Sequence, residues 1–127
     1  MNIRSFTWQE FDEIIGAFKK PVCDGFYPIP RGGLVVATAL SHKFNKPILT
    51  KPTHLSIYVD DIADSGKTLK DLRLKHDAPA IVLLKRYSCD LRALTYGKII
   101  TNDDWVVFPW ENIQKVTDDY NAYISRK

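Results

Sequence analysis

The stretch Ile57-Tyr58-Val59-Asp60-Asp61-Ile62-Ala63-Asp64-Ser65-Gly66-Lys67-Thr68-Leu69 constrains this chain more than any other. A short run of β-formers gives way to two adjacent acids, passes through small and hydroxylated residues, and enters a helical pattern at Leu69. It reads as strand, loop, helix. Ser65 and Thr68 offer hydroxyls and Gly66 lets the backbone come close. The first amides of the following helix lack intrahelical partners and sit at its positive dipole end, so the loop suits an anion, and a phosphate above all. Asp60 and Asp61 would repel a phosphate unless they faced something else, and sugar hydroxyls or a hydrated Mg²⁺ suit them. One ligand carrying a phosphate, ribose hydroxyls and metal-bound phosphates satisfies both halves of the loop.

Two other readings compete. Gly66-Lys67-Thr68 looks like the end of a P-loop, but the pattern Gly-x-x-x-x-Gly-Lys-Ser/Thr requires a glycine where this chain has Asp61. A carboxylate there would occupy the phosphate cradle, which excludes the motif. The plainer reading is an ordinary strand-to-helix turn with a capping Asp or Ser. It leaves the joint presence of the acids, the glycine and the hydroxyls unexplained.

Bulk properties set the frame. A chain of 127 residues fits a single domain, 1–127, with a real core. A hydrophobic content of 45% beside 26% charged residues is that of a folded soluble protein. The net charge of +3 suits a small polyanion, while the absence of a dense Lys/Arg block argues against nucleic acid. Cys23 and Cys89 form no CxxC and read as reduced thiols, and His42, His54 and His76 lack zinc-site spacing. No segment resembles a signal peptide and no apolar run approaches membrane-spanning length, so no membrane partner and a cytoplasmic location are expected.

Along the chain, Thr7-Trp8-Gln9-Glu10 reads as a capping box, with Phe11, Ile14, Ile15 and Phe18 at helical spacing and Pro21 stopping a helix that runs to about Lys20. Gly25 to Ile29 forms a short strand leading into Pro30-Arg31-Gly32-Gly33. There two glycines open the backbone to an anion, Arg31 supplies a permanent charge, and an apolar helix follows from Leu34 to Phe44. A Gly-Gly turn with a solvated Arg is the bland alternative; beside the first loop, a second phosphate site is the better reading. Lys46 to Thr50 reads as a strand.

Leu69, Leu72 and Leu74 mark a helix ending near Asp77, with Pro79 forbidding continuation. Ala80 to Leu84 is an unalternated apolar run, as expected of a strand covered on both faces in a parallel sheet. Ligands in such sheets bind beyond the carboxyl ends of strands, which puts Lys85 on the rim of the two phosphate loops, able to donate to an exocyclic oxygen of a base. Tyr96 to Ile100 reads as another strand. In the loop that follows, Trp105 is placed to stack on a planar ring while the backbone at Val106 reads its edge; Phe108 and Trp110 anchor the chain end. Asn112 to Arg126 reads as a helical tail without functional signal. The fold class is therefore α/β: a Rossmann-like, mostly parallel sheet flanked by helices.

The order apolar strand, two acids, two small or apolar residues, an acid, then Ser-Gly-x-Thr resembles the phosphoribosyl diphosphate motif of the type I phosphoribosyltransferases. Pro30-Arg31-Gly32-Gly33 resembles that family's pyrophosphate loop, with Pro30 where a small residue is usual. Asp103-Asp104-Trp105-Val106 through Pro109-Trp110-Glu111 looks like the xanthine-guanine phosphoribosyltransferase pattern.

The resemblance implies that Asp60 and Asp61 contact the ribose hydroxyls, with Asp61 also at Mg²⁺. Ile62 and Ala63 would add to the phosphoribosyl diphosphate site, the loop Asp64, Ser65, Gly66, Lys67 and Thr68 would wrap the 5′-phosphate, and Arg31 and Gly32 would hold the pyrophosphate. Trp105 would stack on the purine, Val106 would contact its exocyclic edge, and Lys85 would face the 6-oxo group. Asp64 would handle the N7 proton or the charge developing on the base.

Relatives carry a long flexible lid before the diphosphate motif, where this chain has only Lys51-Pro52-Thr53-His54. The implied activity is transfer of 5-phosphoribosyl from phosphoribosyl diphosphate to guanine, xanthine or hypoxanthine, as in purine salvage, by a homodimer or larger assembly. The short lid favours the alternative of a diphosphate- or nucleotide-binding regulatory module. A pyrimidine-using relative is a third class.

Overall fold

The computed structural model describes residues 2–73 and 78–126. In chain order its elements are β1 (Ile3–Ser5), α1 (Trp8–Ala17), β2 (Gly25–Pro28), α2 (Gly32–Phe44), β3 (Ser56–Ala63), α3 (Lys67–Arg73), β4 (Ala80–Arg86), β5 (Leu94–Ile100), β6 (Trp105–Val107), a short 3₁₀ turn at Ile113–Lys115 and α4 (Val116–Arg126). They form two compact units, Ile14–Asn102 and the combination of Met1–Glu13 with Asp103–Lys127. Among the described residues no helix is long and apolar enough to cross a membrane.

The larger unit is a parallel four-stranded sheet in the order β2-β3-β4-β5. The strand β4 carries Ala80, Ile81, Val82, Leu83 and Leu84 without alternation, and all five are buried, because both faces of a parallel sheet are covered. Its register pairs Tyr58 with Ala80 and Ala63 with Lys85 on one side, and Ala80 with Leu94 and Arg86 with Ile100 on the other.

The helix α2 buries Gly33, Val36, Ala37, Leu40 and Phe44, spaced as one helical face, and packs on β2 and β3. It ends at Asn45, whose φ of 54° is the left-handed cap that Asn tolerates. A second cluster joins Tyr58, Ala63, Leu69, Ala78, Ala80, Val82 and Cys89, with Leu72 and Leu91 packed against it. The Tyr58 hydroxyl donates to the Leu72 carbonyl at 3.2 Å, pinning α3 to the sheet.

The return from β4 to β5 has no helix. Only residues 87–93 connect these two parallel strands, against the dozen or more of a usual crossover. Cys89 and Leu91 tuck under the loop at Gly66, where a Cβ would meet the Cys89 sulfur at 3.0 Å and Leu91 carbons at 2.9 Å.

Three expectations about element limits shift. The stretch Lys46 to Thr50, expected as a strand, is reduced to a single bridge between Ile48 and Phe26, made by Phe26 N donating to Pro47 O at 3.0 Å and Leu49 N to Phe26 O at 2.8 Å. The next ladder donors on either side would be the amides of residues 47 and 28, and both are prolines without an N–H, so the pairing does not lengthen. The helix α1 stops at Ala17 instead of about Lys20, because the Lys43 ammonium donates to the carbonyls of Ile15, Gly16 and Phe18 at 2.7, 2.8 and 2.7 Å and closes the last turn. The strand β3 runs through both acids to Ala63. The expected helical residues Leu74 to Asp77 lie outside the described residues.

In the smaller unit β1 and β6 pair in parallel, Ile3 opposite Trp105 and Ser5 opposite Val107. The capping box forms as expected: Glu10 N donates to Thr7 Oγ1 at 3.1 Å and Thr7 N to Glu10 Oε1 at 3.4 Å. Phe108 and Trp110 stack at 4.8 Å with an interplanar angle of 7°, and Trp8 and Phe11 pack against Trp110 at 5.8 Å, so Phe108 and Trp110 anchor the chain end.

Candidate active site

The site begins where β3 leaves the sheet. Asp61 N donates to Asp60 Oδ1 at 2.8 Å and Ile62 N donates to Asp61 Oδ1 at 2.7 Å, so each carboxylate is oriented by the amide that follows it. Burial pushes both carboxyls above their ordinary range, and the neighbouring Asp61 charge adds to the rise at Asp60, which reaches about 8. An adjacent acid pair with its charge so disfavoured calls for a cation or hydroxyl donors from a ligand.

The second loop meets this pair directly. Pro30-Arg31 is a cis peptide, Ile29 N donates to Val59 O at 2.8 Å, and Gly33 N donates to Ile29 O at 2.9 Å as α2 starts. A Cβ on Gly32 would overlap the Asp61 carboxylate, and one on Gly33 would overlap the Val59 carbonyl. Both glycines are thus needed for α2 to enter so close to β3. Arg31 is solvent-exposed at the start of α2, with no side-chain bond capping the helix.

Beyond Ala63 the chain turns through Asp64-Ser65-Gly66, with Gly66 at φ +84°, a left-handed conformation suited to glycine. Lys67 N donates to Ser65 Oγ at 3.3 Å and Lys70 N to Gly66 O at 2.9 Å as α3 begins. Ser65, Lys67 and Thr68 are exposed while Gly66 and Leu69 are buried, so the loop carries its hydroxylated residues on the solvent side of a buried base.

On the neighbouring strand Lys85 is half-buried, its ammonium 5.0 Å from the centre of the Tyr96 ring. The next residue, Arg86, is buried and donates through Nε to Asp64 Oδ1 at 3.2 Å. Within the larger unit the fold therefore brings Gly32 against Asp61, continues unbroken from Asp60 through Thr68, and ties Asp64 to the residue after Lys85; Arg31 stands exposed beside Gly32.

Trp105 and Val106 belong to the smaller unit. Trp105 lies on β6, not in an exposed loop, with its ring 5.5 Å from that of Tyr120 and 5.1 Å from that of Tyr123 on α4. Val106 is buried opposite Arg4. Three of these neighbours escaped sequence reading. Arg86 was signalled only by a charge at the end of an apolar run, and the two tyrosines only by their i, i+3 spacing on the tail helix.

Among the described residues no group of three or more His, Cys, Asp or Glu gathers as a metal cage. The hard oxygen donors of Asp60 and Asp61 nonetheless fit Mg²⁺, which is commonly held by one or two carboxylates together with substrate phosphates.

No family model and no curated protein sequence matches the chain. Solved structures do. A purine phosphoribosyltransferase from Pyrococcus horikoshii Ot3 superposes with a TM-score of 0.69 at 25% identity, covering 89% of this chain and 97% of that one. The chain has the fold of the type I phosphoribosyltransferases. The xanthine-guanine-hypoxanthine phosphoribosyltransferase of Helicobacter pylori gives a TM-score of 0.69 at 20% identity over 93% of this chain and 99% of that one. A hypothetical protein from Neisseria gonorrhoeae with bound ppGpp gives 0.66 at 16% identity over 99% and 98%. The match runs nearly end to end in all three.

Proposed function

We propose that this protein is a purine phosphoribosyltransferase of the xanthine-guanine type, working as one domain and joining a 6-oxopurine to phosphoribosyl diphosphate with release of pyrophosphate. The observation that carries the reading is the contact between Gly32 and the Asp61 carboxylate. It brings the 30–33 loop beside the Asp60–Asp61 pair at the carboxyl ends of β2 and β3, an arrangement that suits a sugar bearing both diphosphate and phosphate. The purine enzymes among the structural neighbours support the choice of base.

In this reading the 5′-phosphate sits on the 64–68 loop, held by Ser65, Thr68 and the first amides of α3. Asp60 and Asp61 accept from the ribose hydroxyls, while Arg31 and the Gly32 amide hold the pyrophosphate. The bond from the anomeric carbon to the pyrophosphate oxygen breaks ahead of bond formation to the purine nitrogen, as in glycoside chemistry, with inversion. The pyrophosphate leaves with its electron pair, and Asp64 takes the purine N7 proton or balances the charge on the ring. Lys85 donates to the 6-oxo group, Trp105 stacks on the base and Val106 reads its edge. Asp61 would hold Mg²⁺, which when bound would supply charge neutralisation for the leaving pyrophosphate. Purine salvage in the cytoplasm, by a homodimer or larger assembly, is the setting this chemistry fits.

A second reading is favoured by one neighbour, the Neisseria protein with bound ppGpp. With only residues 51–54 where a lid is usual, the same phosphate loops would hold a purine nucleotide polyphosphate as a regulatory module. A spectrophotometric assay with guanine, xanthine and hypoxanthine at high protein concentration separates the two. Nucleotide formation with any of them supports the transferase, and tight nucleotide binding without product selects the module. Turnover of uracil or orotate instead would move the substrate to pyrimidines.

A further inference from the structure

We infer that Arg86 is the positioning residue of the reaction, holding Asp64 toward the base. The inference rests on the transferase reading above and concerns a residue that no motif in the sequence assigns.

Arg86 is a buried charged side chain, 8% exposed, in the sheet of the larger unit. A guanidinium in that position requires partners on more than one side, since an unpaired buried charge is costly. It has them in two directions: Nε donates to Asp64 Oδ1 at 3.2 Å and Nη1 to the Asn102 carbonyl at 3.0 Å. One planar group thus spans from the loop after β3 to the segment after β5, and fixes the last residue of β4 between them. Lysine cannot reproduce this, because a point charge on a flexible stem lacks the two fixed donor directions.

The helix end supports the same assignment. An aspartate one residue before Ser65 is a natural cap for α3, yet the Lys67 amide is bonded by the Ser65 hydroxyl at 3.3 Å while Oδ1 of Asp64 goes to Arg86. Ser65 takes the Lys67 amide, and the Asp64 carboxylate takes Arg86 through Oδ1. Lys85, one residue earlier on the same strand, points its ammonium to Tyr96. In the proposed function Lys85 serves the exocyclic oxygen of the base and Arg86, through Asp64, its proton.

The test is a double-mutant cycle on the full chain with Mg²⁺ and phosphoribosyl diphosphate, comparing wild type, Arg86→Gln, Asp64→Asn and the double variant. Turnover is measured with guanine, and affinity for the diphosphate and for GMP by calorimetry. Arg86→Gln is expected to lower kcat by about tenfold or more while diphosphate affinity changes less than about twofold, and to add little further loss on top of Asp64→Asn. Arg86→Lys, which keeps the charge and guards against a folding defect, is expected to lose most of the same turnover. Multiplicative losses in the double variant, or equal losses of turnover and diphosphate affinity, would overturn the assignment. If wild type turns over no base, the transferase reading falls, and the cycle on GMP affinity decides alone: coupling of about threefold or more keeps the Arg86–Asp64 assignment, and additivity removes it.

Discussion

The Asp61 carboxylate fills the space that a side chain on residue 32 would need, so Gly32 and Asp61 fit each other only while position 32 has no Cβ. This places the start of α2 against the end of β3 and brings two sequence-distant loops together.

Gly32→Ala must therefore displace the carboxylate. We expect a loss of about 1–3 kcal/mol in stability, as for other overpacked sites, and a drop of at least about tenfold in diphosphate affinity. Urea unfolding and calorimetry measure the two. An alanine variant with unaltered affinity would mean that Asp61 does not contact the ligand.

Asp60→Asn should separate binding from stability. The carboxyl of Asp60 rises from its ordinary 3.8 to about 8 on folding, so the folded state holds its proton more tightly than the unfolded chain. Stability is then unaffected below about pH 4, is lost as pH rises toward about 8, and stays reduced above it. The asparagine variant escapes that loss. Without magnesium or ligand it should gain on wild type through this window, by on the order of 1–2 kcal/mol after allowance for solvent screening, while losing sugar diphosphate binding. Thermal melts at several pH values give the answer, and a gain that is flat with pH would remove the explanation.

Much of this was legible in the sequence where the chemistry is local. The 57–69 stretch, the capping box at Thr7 and Glu10, and the apolar run of β4 each carry their own instructions within a few residues. What was not legible depends on distant partners. The end of α1 is set by Lys43, 25 residues or more away, and the fate of Lys46 to Thr50 by the strand it meets at Phe26, where Pro28 has no N–H to continue the ladder. Arg86 looks like a solvated charge until β4 is paired and its guanidinium is enclosed. The tail helix offered no signal because the Trp105, Tyr120 and Tyr123 contacts exist only once β6 and α4 are folded.

Asp64→Asn should reduce turnover far more than it weakens diphosphate binding, since its role lies in the proton or charge of the base and not in holding the sugar. Steady-state kinetics beside calorimetry distinguish these. Equal losses in both, or none in turnover, would contradict the role.

Trp105→Ala should raise KM for the base with a smaller effect on the diphosphate. Because the ring also packs on Tyr120 and Tyr123, Trp105→Phe serves as the control that retains an aromatic face. An unchanged base KM in the alanine variant would return Trp105 to a purely structural role.

The most direct measurement is a calorimetric titration of the protein with phosphoribosyl diphosphate in the presence of magnesium, followed by GMP. Saturable binding of about one equivalent per chain, abolished in Asp60→Asn and in Gly32→Ala, is the predicted result. Absence of saturable heat for both ligands up to about 1 mM would contradict the assignment of the Gly32–Asp61 edge as a phosphoribosyl site.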